Sequence, residues 1–117
     1  MRRLILGVVL GCVTSGALAQ TVTILGMGSS TCDNWTRQRN ERTFEGVTFS
    51  ERSAHWVVGY LRGAFDNMSA GKHDPLTDVD MAAIRGWLDN YCRQHPLNSI
   101  YLAASELSGE LIKRSGK

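Results

Sequence analysis

Residues 50–68 read SERSAHWVVGYLRGAFDNM, and the hydrophobic pattern of this stretch decides the fold. Apolar side chains recur in it at spacings of three and four, namely at Ala54, Val57, Val58, Leu61, Ala64, Phe65 and Met68. That spacing places them along one face of a helix of about five turns. The stretch therefore predicts a central amphipathic helix that opens at Ser50 and buries this face against other helices.

Three of the glycines inside the predicted helices bear on how those helices pack. Gly59 and Gly63 are four residues apart on the central helix, and Gly86 is on the helix after it. Each costs roughly 1 kcal/mol relative to alanine in a helix interior, so we expect close helix packing at all three positions. The same pattern leaves open a second interpretation, in which a partner's loop or a ligand rests on the Gly59 and Gly63 face.

A short helix is expected before the central one. Ser30 or Thr31 suits its N-cap position, which places Cys32 in its first turn. Residues 26–30 (Gly-Met-Gly-Ser-Ser) predict a flexible lead into it, and the polar residues 40–48 predict a connection to the central helix. Cys32 is therefore expected at the N-terminus of the first helix.

Two more helices are expected after the central one. Pro75 makes a helix unlikely to continue, and the spacing of Thr77 and Asp80 fits a capping box that opens the third helix. Pro96 breaks that helix, with Cys92 near its end, and suits the first turn of a fourth, for which Asn98 or Ser99 is available as a local cap. The sequence thus predicts an all-α fold, a small single-domain bundle of about four helices.

The first nineteen residues do not belong to this bundle. A basic start at residues 2–3, an apolar run over residues 4–13 and Ala-Leu-Ala at residues 17–19 are the three parts of a secretory signal peptide. The apolar run is much shorter than the ~20 residues that a bilayer span needs. We therefore expect a signal peptide at residues 1–19, a helical domain at residues 20–117, periplasmic localisation and no stable membrane span.

Removal of the signal peptide changes the charge balance. It takes away two of the 13 basic residues and none of the 11 acidic ones, so the mature chain carries 11 of each. Nucleic-acid binding needs a basic excess on one face, and no basic run is left after cleavage. We therefore expect no nucleic-acid partner.

Three cysteines occur in the chain, and Cys12 lies within the signal peptide, where lipid attachment is an alternative to cleavage. Cys32 and Cys92 remain in an oxidising compartment, which favours a disulfide between them over two separate buried thiols. Such a bond closes a loop of about 60 residues and contributes about 4 kcal/mol to stability in the chain-entropy estimate. The sequence thus predicts one disulfide that matters for folding.

The histidines, serines and cysteines form no catalytic or metal-binding pattern. His55, His73 and His95 are spaced by 18 and 22 residues, so no two of them share a helix turn as metal-binding pairs do. No serine lies in a Gly-x-Ser-x-Gly motif, and bonded cysteines cannot act as nucleophiles. We therefore expect no enzymatic activity, no metal and no cofactor.

Five short motifs are spread along nearly the whole mature chain: Thr31-Cys32, Trp56-Val57-Val58-Gly59-Tyr60, Asp78-Val79-Asp80, Tyr91-Cys92-Arg93-Gln94-His95-Pro96 and Ala103-Ala104. Together they resemble the HdeA/HdeB family of periplasmic acid-stress chaperones. Cys32 and Cys92 match the pair that forms a disulfide in that family. The resemblance implies a cofactor-free helical protein that binds unfolded clients in acid.

If the protein is such a chaperone, its net charge explains why the helical bundle opens in acid. Near pH 2 the carboxylates are protonated, and the 11 basic residues and three histidines leave about +14. Self-repulsion then loosens the bundle or dissociates a homodimer, while the disulfide limits unfolding. Six apolar residues are expected to reach clients: Val57, Leu61, Phe65, Ile84, Trp87 and Leu107.

A second set of motifs indicates a different partner. Gly59-Tyr60-Leu61-Arg62-Gly63, with His95-Pro96 and Ala103-Ala104, is similar to the Tai family of periplasmic immunity proteins. That family binds and blocks secreted cell-wall amidases, which implies a folded interface such as the loop from Ala70 to Leu76. A structural subunit of an envelope complex is a third interpretation. All three predict a protein partner.

Overall fold

The computed structural model describes residues 23–67 and 73–116. They form four α-helices: α1 (Cys32–Asn40), α2 (Phe44–Asp66), α3 (Met81–Gln94) and α4 (Ile100–Ser115). One turn of 3-10 helix, Gly26–Ser29, precedes α1, and these residues contain no strand. The prediction of an all-α bundle of about four helices is therefore confirmed, whereas the predicted signal peptide lies outside the described residues.

The central helix is longer than its apolar pattern. α2 begins at Phe44 rather than at Ser50, and the hydroxyl of Thr43 caps it by accepting a hydrogen bond from the Gly46 amide at 3.1 Å. Only three residues separate α1 from α2. The predicted connection over residues 40–48 is therefore wrong, because the cap extends the helix through a polar stretch that lies mostly on the surface.

The core lies between α2 and the other three helices. On α2, Ala54, Val57, Leu61 and Phe65 of the predicted face have no exposed surface. Val58 and Ala64 are partly buried, and Met68 lies outside the described residues. α1 contributes Trp35, the largest fully buried side chain in the described part of the chain. The remaining large and small apolar groups come from α3 and α4: Ile84, Leu88, Ile100, Ala103, Ala104, Leu107 and Leu111. The amphipathic pattern of the central helix therefore organises the bundle.

Helices α3 and α4 start later in the chain than predicted, although Ser99 is one of the two caps expected for α4. Asp80 caps α3 by accepting a hydrogen bond from a backbone amide three residues on at 2.8 Å, and residues 75–78 form a turn. Ser99 caps α4 in the same way at 3.1 Å. The predicted starts at Thr77 and Pro96 are therefore wrong, because the chain still turns after each proline before a side-chain cap becomes available.

Backbone hydrogen bonds and a disulfide join the start of α1 to the segment between α3 and α4. The amides of Cys32 and Asp33 donate to the carbonyl oxygens of Asn98 and Pro96 at 2.7 and 2.9 Å. The Cys32–Cys92 bond joins the first residue of α1 to the last turn of α3, with 4.6 Å between the Cα atoms. We call this region, residues 30–33, 92 and 96–100, the cystine corner. The predicted disulfide is confirmed.

Gly28 and Gly46 are the glycines at which the backbone comes close to other groups. A Cβ at Gly28 would lie 2.2 Å from the ring of Trp56, and one at Gly46 would lie 2.6 Å from the carbonyl oxygen of Glu41. Both positions are buried, so a larger side chain would displace its neighbour. Residues 26–29 are thus packed against α2, and the predicted flexible lead is wrong.

Gly59, Gly63 and Gly86 lie on exposed faces of their helices. Apart from the helix's own backbone, no atom of the described chain lies within 4 Å of a Cβ built at any of them. The predicted close helix packing at these three positions is therefore wrong, because the helices meet through their other faces. The alternative, a partner on the Gly59 and Gly63 face, stays a prediction.

Alanine substitutions distinguish the exposed Gly59 and Gly63 from the buried Gly28. We expect Gly59→Ala and Gly63→Ala each to raise the free energy of unfolding by about 0.5–1 kcal/mol, because an open helix position only gains helix propensity. Gly28→Ala should lower it by about 1–3 kcal/mol, because its Cβ meets the Trp56 ring. Urea unfolding followed by circular dichroism measures all three. A loss of stability at Gly59 or Gly63 would show that these positions are packed in the folded protein.

Replacement of both cysteines measures how far the cystine corner depends on its covalent bond. The bond spans 60 residues of sequence, and the chain-entropy estimate for such a loop is about 4 kcal/mol. We expect Cys32→Ala combined with Cys92→Ala to lower the free energy of unfolding by about that amount. Urea unfolding of the variant and of the oxidised protein at pH 7 gives the difference. An unchanged free energy would mean that the backbone hydrogen bonds hold the corner alone.

Candidate functional site

The six residues predicted to bind clients lie together in the folded protein, but they are not on its surface. Five of them belong to the buried core: Val57, Leu61, Phe65, Ile84 and Leu107. Trp87 is half-buried and packs against that core. A client can reach this set only after the helices separate, so the contacts that hold α3 in place define the candidate site.

Asp89 connects the middle of α3 to α1. Its carboxylate accepts hydrogen bonds from Nε1 of Trp35 and from Nε and Nη2 of Arg39, each at 2.9 Å. The two bonds from Arg39 form a bidentate ion pair, a strong geometry for such a contact. One carboxylate thus ties a buried tryptophan and a surface arginine of α1 to α3.

The protonation of Asp89 is set by opposing effects. Burial raises the pKa of this carboxyl, but the hydrogen bonds from Arg39 and Trp35, together with the positive charges of Arg39 and Arg93, lower it by a larger total, so the pKa lies below its ordinary value. The contact therefore stabilises the fold fully above the unfolded carboxyl pKa of about 4. Its contribution is lost as the pH falls through the lower folded-state value, which makes the α1–α3 contact sensitive to acid.

Carboxylates also hold α3 against α2 and α4. Nη1 of Arg85 lies 3.2 Å from a carboxylate oxygen of Glu51 on α2. Nε1 of Trp87 donates to Glu110 on α4 at 2.7 Å, and Arg114 pairs with the same carboxylate. Within residues 23–67 and 73–116, the side-chain hydrogen bonds that join α3 to the other helices therefore all end on a carboxylate.

A further carboxylate fixes the segment that leads into α3. Asp74 accepts two hydrogen bonds from Arg62 of α2, at 2.9 and 3.2 Å, and one from the Leu76 amide at 3.0 Å. The bonds from Arg62, followed by the backbone bond, hold the pKa of Asp74 below its ordinary value. The loop predicted to enter a partner, residues 70–76, is described only from His73 onward, and there an ion pair ties it to α2.

An aromatic row runs along α3 at helical spacing. The rings of Trp87 and Tyr91 stack with their centroids 4.9 Å apart, and the His95 ring lies 4.5 Å from that of Tyr91. The Tyr91 hydroxyl accepts a hydrogen bond from the Asn98 side chain at 2.9 Å. The row forms one wall of an open groove whose other wall is α4. His95 therefore takes part in ring packing at the end of α3.

Sequence reasoning missed the polar contacts of α3. Asp89 and Arg39 are 50 residues apart, and Trp87 and Glu110 are 23 apart. No local spacing reports a pair at such a separation. The available signal is position on the helix: Asp89 directly follows Leu88 on the border of the apolar face, where a carboxylate needs a partner from a neighbouring helix.

The described residues contain neither a cluster of metal-binding side chains nor a membrane-spanning helix. Among the residues that the structure describes, no three His, Cys, Asp or Glu side chains are grouped as a metal ion would require. None of the helices described there is long and apolar enough to cross a bilayer.

Asp89→Asn tests whether the charge at this position makes stability depend on pH. The amide oxygen can still accept a bond from Trp35, so the variant removes mainly the ion pair with Arg39. We expect a loss of about 1 kcal/mol at pH 7. The difference should shrink as the pH is lowered toward 2, because protonation of wild-type Asp89 removes the same charge. Urea unfolding at both pH values measures it, with the exposed Glu106→Gln as the matched charge control. A difference that is equal at both pH values would contradict the role of the charge.

Comparison with known proteins identifies no relative. No protein-family model, no characterised protein and no solved structure matches this chain. The resemblances to the chaperone and immunity families therefore stay predictions, and the function has to be inferred from the contacts described above.

Proposed function

We propose that this protein is exported to the periplasm, opens in acid and holds unfolded proteins on its exposed core residues. The observation that carries the proposal is the set of carboxylates that joins α3 to its neighbours: Glu51, Asp89 and Glu110. An ionised carboxylate is a strong hydrogen-bond acceptor, and it loses this strength when acid removes its charge. Acid therefore weakens the contacts of α3 to three other helices.

Net charge supports the same opening. With residues 1–19 removed, the chain has 11 basic and 11 acidic residues, and near pH 2 it carries about +14 when the three histidines are counted. Repulsion within a domain of this size favours expanded states that keep their helices but expose apolar surface. Acid therefore weakens the carboxylate contacts of α3 and, at the same time, increases the repulsion between positive charges across the domain.

The cystine corner supports an opening that stops short of complete unfolding. Cys92 lies in the last turn of α3, so this end of α3 stays bonded to α1 at any pH. The N-terminal part of α3 depends on the acid-sensitive contacts. Its separation exposes apolar side chains on α2, α3 and α4: Val57, Leu61, Phe65, Ile84, Trp87 and Leu107. Such a tethered apolar surface is suited to non-specific binding of unfolded chains.

Client protection in acid tests the proposal. An acid-labile enzyme is brought to pH 2–3 with and without the protein, and light scattering is recorded together with a dye that binds exposed apolar surface. We expect dye binding and reduced scattering at about equimolar protein, because the core residues become accessible. A protein that stays compact, or that opens without reducing aggregation at molar excess, would sink the proposal. Recovery of one stoichiometric partner at pH 7 would then favour the immunity or envelope-subunit interpretation.

Amide variants show whether the named carboxylates control the opening. Glu51→Gln, Asp89→Asn and Glu110→Gln together imitate protonation, and we expect them to raise the midpoint pH of dye binding by about one unit. The control carries Asp33→Asn, Glu41→Gln and Glu106→Gln: the same charge change at exposed positions whose carboxylates form no ion pair or hydrogen bond with another described residue. Equal shifts in the two variants would mean that net charge alone drives the opening.

A further inference from the structure

A pocket lies beside the N-terminal turns of α2, outside the buried core. Its volume is about 320 Å³, and it is lined by Met27, Phe44, Glu45, Thr48, Phe49 and Arg52. We call it the entry pocket. An engineered cavity of about 150 Å³ in another protein holds benzene, so the entry pocket has room for an aromatic ring.

Phe44 belongs to the lining of the entry pocket, yet 82% of its surface is open to solvent. Val47, in the same first turn of α2, is 56% exposed. Large apolar groups that stand exposed beside a recess mark a surface that another protein covers. This face of α2 thus presents both a projecting ring and a pocket that can receive one.

Two opposite charges flank the entry pocket. Glu45 and Arg52 are exposed, and neither forms an ion pair or a side-chain hydrogen bond with the rest of the described chain. They are seven residues apart, which is close to two helical turns, so they lie on the same face of α2. The midpoint between them falls between Thr48 and Phe49. A two-fold rotation about that point exchanges the acid with the base.

We propose that a second copy of this chain covers the entry pocket, with the two α2 helices packed antiparallel across a two-fold axis near Thr48. This arrangement places Glu45 of each copy opposite Arg52 of the other and forms two equivalent ion pairs. Phe44 adjoins Glu45, so its ring comes to the Arg52 end of the other copy's pocket. A contact between identical patches closes on itself and yields a dimer rather than a filament.

Charge complementarity favours a second copy over an unrelated protein. The entry pocket needs a partner with a projecting apolar group, an acid and a base at matching positions. The same face of this chain already supplies Phe44, Glu45 and Arg52 in that order. The dimer does not depend on acid opening, because the pocket lies outside the core residues that α3 covers.

Analytical ultracentrifugation of the purified chain at pH 7 measures the dissociation constant of the dimer. We expect Arg52→Glu to weaken the dimer by about tenfold or more, because like charges then face each other twice. The double variant Glu45→Arg with Arg52→Glu should return the constant to within about threefold of wild type, because the swap restores both pairs. Phe44→Ser should weaken the dimer by about tenfold, and Leu97→Ser, an exposed leucine outside the pocket, should leave it unchanged.

Circular dichroism controls for folding, because Glu45→Arg places a positive charge in the first turn of α2, where the helix dipole disfavours it. Arg52→Glu lies further inside the helix, away from the N-terminal dipole. If Glu45→Arg lowers the helix content, the result for Arg52→Glu alone tests the ion pairs. A chain that stays monomeric at about 1 mM overturns the proposal. The proposal is also overturned if neither Phe44→Ser nor Arg52→Glu weakens the dimer, or if the double variant folds but stays dissociated. A monomer whose Phe44 binds a different protein overturns it as well.

Discussion

The cystine corner is the constraint on which the bundle depends. α1 has nine residues, and an isolated helix of that length is not stable in water. Its first residue is bonded to Cys92, and the amides of Cys32 and Asp33 donate to carbonyl oxygens that follow α3. This fixes where α1 begins and places Trp35, one turn further on, in the core. The position of the short helix thus follows from a contact 60 residues away.

The restraints on α3 differ in kind between its two ends. Its last turn is held by a covalent bond at Cys92, which does not respond to pH. Further toward the N-terminus, the side chains of Arg85, Trp87 and Asp89 are held by hydrogen bonds that each involve a carboxylate. Local stability is therefore uneven along one helix, and a fall in pH lowers the free energy of separating one end while the other stays bonded.

The sequence allows the core to be predicted but not its polar supports. Burial follows the spacing of apolar side chains, so the pattern of residues 50–68 identifies the face of α2 that packs inward. The first turns of α2 lack that pattern because Phe44 is exposed, and only the cap shows where the helix begins. Helix propensity assigns a cost at Gly59, whereas only the fold shows that Gly28 and Gly46 are the glycines in close contact. Asp89 pairs with a residue 50 positions away, which no local pattern encodes.

α2 carries two apolar surfaces that differ in when they are accessible. Its first turns form the entry pocket, which is open in the folded protein, whereas other helices cover its face from Ala54 onward. The two surfaces meet at neighbouring residues: Glu51 holds α3 through Arg85, and Arg52 flanks the pocket. Because successive residues of a helix point in different directions, a partner at the pocket leaves the Glu51 contact free to form. Association through the pocket and exposure of the core are therefore separable properties of one helix.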